Sequence, residues 1–330
     1  MKQNKQIERL LNVQRDVNFS GVIFIKEYDG VFEQAFGYAN QAEQIRNNPS
    51  TRFGIASGAK VFTSAAICRL VEEGKLSFNT RLQQCVDISF PHFHEDITIH
   101  HLLTHTSGIP DYFDEEMMDD FSALWDEKPM YSMREGKDFL PMFQHEPMKF
   151  HPGERFHYNN AGYIVLGQIV EAVSGRPFDR FVEEEIFQKV GMDKSGYFQL
   201  DQLPEQTAHG YIESNQTNQY CIPIKGGADG GVFVTVTDVE MFWRSVDKAE
   251  LFSEKMTEQF LRPRVHVNDT VFYSYSGYTI EREDSSRKHL LVGYDPGVCF
   301  RASFEPSCSR VVVVCSNQSE GADEMIEAIG

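Results

Sequence analysis

The chain has 330 residues, 41% of them hydrophobic and 24% charged, the proportions of a folded globular protein with a sizeable core. Its formal net charge is −18, from 49 acidic against 31 basic side chains, so neither a nucleic-acid backbone nor an anionic lipid surface would meet a basic stripe, and neither is an expected partner. No apolar run reaches the roughly 18 residues of a membrane span.

The N-terminal stretch MKQNKQIERLLNVQRDVNFSG has no apolar core of signal-peptide type and no small-residue cleavage site, so a cytoplasmic location is expected. The cysteines (Cys68, Cys85, Cys221, Cys299, Cys308 and Cys315) form no CxxC pair and read as reduced core thiols. Residues 5–16 predict an amphipathic helix with Ile7, Leu10, Leu11 and Val13 on one side. GVIFIKEYDGVFEQAFGYAN predicts a hairpin turning at Tyr28-Asp29-Gly30. Residues 58–73 predict a helix that is apolar or small almost all round at its start, hence central and buried, with Gly74 as its stop. Further helices are predicted at 97–104, 160–174 and 178–190, and 107–157, rich in Met, Asp, Phe and Pro, reads as irregular.

The C-terminal third changes character. VFYSYSGYTI and VCFRASF alternate, RVVVVC is a short continuous apolar strand, and EGADEMIEAIG reads as a helix. Strands at both ends and helices between predict an α/β (α+β) fold. Its mainly antiparallel sheet is built from both termini, flanked by helices, with an inserted helical subdomain. We expect one domain over 1–330, with 1–60 and 226–330 forming the sheet subdomain and 61–225 the mainly helical one.

Two short motifs carry candidate chemistry. In ASGAK, a serine at a helix start, Ser57, is followed one turn later by Lys60, on the same face. A helix start offers an unpaired N–H and a favourable dipole to developing negative charge, and a buried amine can take the hydroxyl proton. Alone, the pattern is more often an N-cap and a solvated lysine. In FHYNNAG, Tyr158 and Asn160 precede a helix; alone, they read as an asparagine cap beside a packed tyrosine. His92, His94, Glu95 and Asp96 look like a surface loop, and no metal site is expected. His105 is expected to be structural. GGADGG, from Gly226, lacks the lysine of a phosphate loop and is expected to shape a loop near the site, with Asp229 capping or pinning it. Met117, Met118 and Trp125 read as an irregular packed loop.

Four phrases together carry a resemblance: FGIASGAKVFTSAAICRLVEEGKLSFNTRL, ITIHHLLTHTSGIPDY, FHYNNAGYIVLGQIVEAVSGRPF and GGADGGVFVTVTDVEMF. In this order and spacing, across about residues 20 to 315, the chain resembles the serine β-lactamase-related hydrolases of the class C β-lactamase and penicillin-binding-protein-like group. The resemblance implies a nucleophile at Ser57 that forms an acyl-enzyme. Lys60 and Tyr158 would share the proton traffic, without a choice of base between them, and Asn160 would hold the lysine and the substrate. It implies no cofactor, and a small molecule or short peptide as substrate.

The third motif of that family departs here. Relatives carry Lys or His, any residue, then Gly on the strand lining the site. In HLLVGYDPGVCF, Gly293 takes the glycine position and Leu291 the cationic one. Glycine lets the strand approach a substrate, and Tyr294 can offer an oxyanion N–H from its backbone. The partner for a substrate carboxylate is missing; His289 and Arg301 are the alternatives. The expected activity is hydrolysis of an ester, amide or peptide. The alternative is a binding protein that kept the fold and lost turnover.

Overall fold

The computed structural model describes residues 2–28, 30–213 and 215–329, with side chains from residue 8 onward. Eight strands pair into one antiparallel sheet: β1 (Gly21–Glu27), β2 (Gly30–Phe36), β3 (Val265–His266), β4 (Val271–Ser274), β5 (Gly277–Glu281), β6 (Arg287–Asp295), β7 (Val298–Glu305) and β8 (Arg310–Ser316). Their order across the sheet is β2-β1-β8-β7-β6-β5-β4-β3. The N-terminal and C-terminal strands pair directly within it, Gly21 with Ser316 and Lys26 with Val311. The β1–β2 hairpin closes between Glu27 and Gly30, and Asp29 of its predicted turn lies outside the described residues.

Both faces of the central strands are covered, which explains why β8 is a continuous apolar run and does not alternate. Val311, Val313 and Cys315 face one core with Phe300, Phe304 and Leu291; Val312 and Val314 face a second with Ile23 and Ile25. Two terminal helices, α1 (Lys2–Asp16) and one over Ala322–Ile329, cover the second face. Leu10 and Met325 are buried there and Val13 packs against them, but Leu11 is exposed, contrary to the expected apolar side. It lies about 100° round the helix from Leu10. The side chain of Ile7 lies outside those described.

On the other face lie α2 (Lys60–Glu72), α3 (Asn160–Ser174) and α4 (Val236–Asp247). α2 is buried continuously from Lys60 to Cys68, and Phe62 meets Phe187 and Phe242 edge-on at 5.0 and 5.1 Å. Burial of one such ring contributes about 1.5–3 kcal/mol. α2 begins two residues later than expected, because Ala56–Ala59 forms a tighter 3-10 turn ahead of it.

Other local expectations shift for local reasons. The helix expected at 97–104 shortens to Ile99–Leu103, capped by the Thr98 hydroxyl. The segment 178–190 is interrupted by a π turn over Glu183–Phe187. VFYSYSGYTI folds back at Tyr275-Ser276 and supplies both β4 and β5, since Gly277, at φ +105°, admits the turn that alternation alone does not announce. Residues 107–157 carry only short 3-10 turns among the described elements. All six cysteines are free, but only Cys68, Cys299 and Cys315 are core residues; Cys308 is exposed. No helix among the described residues is long and apolar enough to cross a membrane.

Candidate active site

Ser57 sits in the 3-10 turn that links a short strand, Phe53–Gly54, to α2. The preceding residue, Ala56, has φ +45°, a conformation a side-chain-bearing residue adopts only under constraint. The constraint comes from the GGADGG loop. Gly231 N donates to Ala56 O (3.3 Å) and Ile55 N to Val232 O (3.1 Å). From the sheet, β6 presses on the same turn. A Cβ on Gly293 would meet Ile55 O at 2.0 Å and Gly58 N at 3.0 Å, so only glycine lets the strand come this close. The N–H of Ser57 belongs to the first turn of the helical segment, where backbone donors have no acceptor within the helix.

Lys60 is 3% exposed at the first position of α2. Its Nζ lies 2.9 Å from Ser57 Oγ, 2.8 Å from Asn160 Oδ1 and 2.6 Å from the backbone oxygen of Asp229. Burial pushes its pKa down; the carboxylates of Asp229, Glu115, Asp111 and Asp295 oppose that shift. A buried ammonium is tolerated only with such partners, which is why three elements converge on one amine.

Tyr158 and Asn160 arrive from the start of α3. Asn159 is the N-cap, its side chain accepting from Gly162 N at 2.7 Å. The Asp111 carboxylate accepts from the N–H groups of Asn160 (2.6 Å) and Ala161 (2.9 Å). Asn160 Nδ2 donates to Phe113 O at 3.3 Å, which fixes the amide with its oxygen toward Lys60. The Tyr158 phenol stands beside Ser57 on the cavity wall, and Lys60 Nζ lies 5.0 Å from its ring centre. Burial first, then the charge of Glu115, raises the phenol's pKa well above its usual value. His105 packs its ring on Tyr158 with centroids 4.4 Å apart, and its Nδ1 accepts from Asn159 N at 3.0 Å. It is a buried support for the tyrosine, held neutral by desolvation.

Ser57, Tyr158 and Asn160 line a cavity of about 470 Å3 that extends over Val292, Tyr294 and Asp295 of β6. Tyr294 is 58% exposed at its edge. Leu291 does not reach this cavity; it is 5% exposed and closes a void of about 20 Å3 behind Ser57 and Lys60. Neither cationic alternative reaches it. His289 is fully buried, its Nδ1 3.1 Å from Ser276 Oγ and 3.0 Å from Thr279 Oγ1. Arg301 binds Asp323 and the backbone oxygen of Gly293. The expected pinning of Asp229 is explicit: the Tyr112 hydroxyl donates to its Oδ2. Sequence reasoning missed Asp111, Tyr112 and Asp295, although the first two sit in the phrase GIPDY and the third directly before Pro296-Gly297. The strain at Ala56 left no trace in the sequence.

This geometry has relatives. The family described as Beta-lactamase matches residues 12–328. The chain belongs to the beta-lactamase family. That family comprises serine hydrolases of the β-lactamase and penicillin-binding-protein type. Among curated proteins the chain is 28% identical over 321 residues to penicillin-binding protein 4* of Bacillus subtilis (strain 168), covering 90% of this chain and 68% of the relative. It is 27% identical to the putative penicillin-binding protein PbpX of the same strain, covering 96% and 75%. Among solved structures, the penicillin binding protein from Bacillus halodurans superposes with a TM-score of 0.92 at 50% identity, covering 97% of this chain and 98% of that one. The D-amino acid amidase from Ochrobactrum anthropi SV3, at 20% identity and a TM-score of 0.79 over 100% and 99% of the two chains, shares the fold.

Proposed function

We propose that this family member hydrolyses an ester, amide or short peptide through an acyl-enzyme on Ser57. The observation that carries the reading is the hydrogen-bond set of Lys60. Two of its three neighbours, Asn160 Oδ1 and Asp229 O, can only accept. A neutral amine has two N–H groups for those acceptors and one lone pair, which then faces the Ser57 hydroxyl at 2.9 Å. Burial favours that neutral form. Lys60 is therefore the base that takes the hydroxyl proton. Tyr158, its pKa raised, keeps its proton and passes it to the leaving group while Lys60 restores it. The N–H groups of Ser57 and Tyr294 receive the oxyanion, and the contact between Gly293 and the Ser57 turn sets their separation.

The site lies where a sheet subdomain, 1–60 with 226–330, meets a mainly helical subdomain, 61–225. Leu291 supports the second reading, a binding protein without turnover, because a family cation is absent there. A fluorophosphonate probe separates the two. Covalent mass gain on the native protein, absent from Ser57→Ala, is expected. An unlabelled native protein, or equal labelling of Ser57→Ala, overturns the assignment.

A further inference from the structure

We infer that the cavity beside Ser57 receives a substrate carrying a positively charged amino group, and that the carboxylate of Asp295 holds it. The inference rests on the hydrolase reading for the position of the scissile bond, and on the cavity's own chemistry for the charge.

The lining contains five carboxylate side chains: Glu115, Asp119, Asp120, Asp229 and Asp295. Its one lysine or arginine is Lys225, and Asp179 already holds that ammonium at 2.6 Å. The carboxylates differ in what they do. Asp229 accepts from Tyr112, and Asp120 caps the turn at Ser122. The Asp295 carboxylate accepts no hydrogen bond and joins no ion pair among the described residues, and the residue is half-buried in the cavity wall. Its surroundings compound the problem: the charges of Asp229 and Glu115 oppose its ionisation and only Lys60 favours it. When Lys60 acts as a base it is neutral, and that support disappears. A carboxylate kept beside two others, with no cation of its own, has its missing partner in the ligand.

The placement fits. Asp295 follows Gly293 by two residues on β6 and so shares its face, the face seated on the Ser57 turn. It lies roughly 6.6 Å further along the strand, at ~3.3 Å per residue. A cation there would stand beside a carbonyl presented to Ser57, one or two bonds away from it. A substrate carboxylate would meet the same acidic lining and be repelled. The substrate class is thus an ester, amide or peptide with a free amino group near the scissile carbonyl.

Two measurements test the inference separately from catalysis. Calorimetry on Ser57→Ala compares benzylammonium with its neutral isostere benzyl alcohol and with phenylacetate. Benzylammonium is expected to bind at least tenfold more tightly than the alcohol, phenylacetate least, and Asp295→Asn added to Ser57→Ala should bring the amine and alcohol close to parity. Equal binding of amine and alcohol to Ser57→Ala overturns the inference, whatever the turnover. The second arm compares kcat/KM for alanine p-nitroanilide, with its free amine, against propionyl p-nitroanilide. A ratio of ten or more that falls toward one in Asp295→Asn supports the subsite; a native ratio near one overturns it while leaving hydrolysis standing. Asp295-dependent amine binding without turnover of either anilide keeps the subsite and removes the hydrolase reading.

Discussion

Gly293→Ala places one methyl group against the nucleophile turn, and its consequence can be worked from the contacts. The new Cβ would stand 2.0 Å from the carbonyl oxygen of Ile55 and 3.0 Å from Gly58 N. Carbon and carbonyl oxygen touch at ~3.3 Å, so one of the two backbones must retreat by more than about 1 Å. Neither has slack. β6 is paired along its length with β7, including Gly293 with Phe300, and the turn is held by the bonds of Ile55 and Ala56 to Val232 and Gly231. A displacement of about 1 Å at reacting groups costs on the order of 100-fold in rate, whereas overpacking of this kind costs about 1–3 kcal/mol in stability. The variant is therefore expected to fold, with a lower melting temperature, and to lose about two orders of magnitude in kcat on a p-nitrophenyl ester. Burst-phase and steady-state kinetics measure this, with thermal denaturation alongside. A variant that keeps kcat within threefold would show that the close approach of β6 has no part in arranging the site.

Lys60→Ala and Tyr158→Phe act on one proton path, so the double variant is expected to be about as slow as the worse single one; additive losses in kcat/KM would place one of them outside the path. Because burial lowers the Lys60 pKa and the base must be neutral, acylation is expected to rise with pH through a value below that of an ordinary lysine; a pre-steady-state profile that rises only in the usual lysine range refutes this. Burial first, together with the charges of Asp229 and Glu115 and against the pull of Lys60, lifts Asp295 to about 7 from its usual 3.8. Between those values the folded state holds a proton that the unfolded chain has lost, so stability falls as pH rises through the window. Asp295→Asn should flatten melting temperature against pH from about 4 to 7, by an amount worth at most on the order of 4 kcal/mol. Because Leu291 faces the small void and not the cavity, Leu291→His is expected to leave the ratio of kcat/KM for a carboxylate-bearing ester to that for its methyl ester within about twofold; a rise of roughly tenfold, the worth of one charge-assisted hydrogen bond, would show that position 291 reaches the substrate.

The sequence by itself determined the elements whose signals are local. The all-round apolar start of α2 announced its burial, Asn159 and Gly175 bound α3, and alternation marked β7. The family phrases placed Ser57, Lys60, Tyr158 and Asn160 in one family pattern, because motif order survives where distances cannot be read. What only the tertiary structure decided depends on groups far apart in the chain. Whether Lys60 is solvated or buried turns on Asn160 and on the backbone of Asp229, a hundred residues or more away. The positive φ of Ala56 is imposed by the loop ending at Gly231 and by β6 behind it, and nothing in ASGAK encodes it. The same holds for Leu291, His289 and Arg301. Read along the strand they are interchangeable candidates for one role, but the pleat and the neighbouring layers send the first to a small void, the second into a hydroxyl network and the third to Asp323. Asp295 was unremarkable in the sequence, since a carboxylate acquires meaning only from the company it is buried with. Local propensity and pattern are carried by the chain itself, while electrostatics and close packing are properties of what the fold brings together.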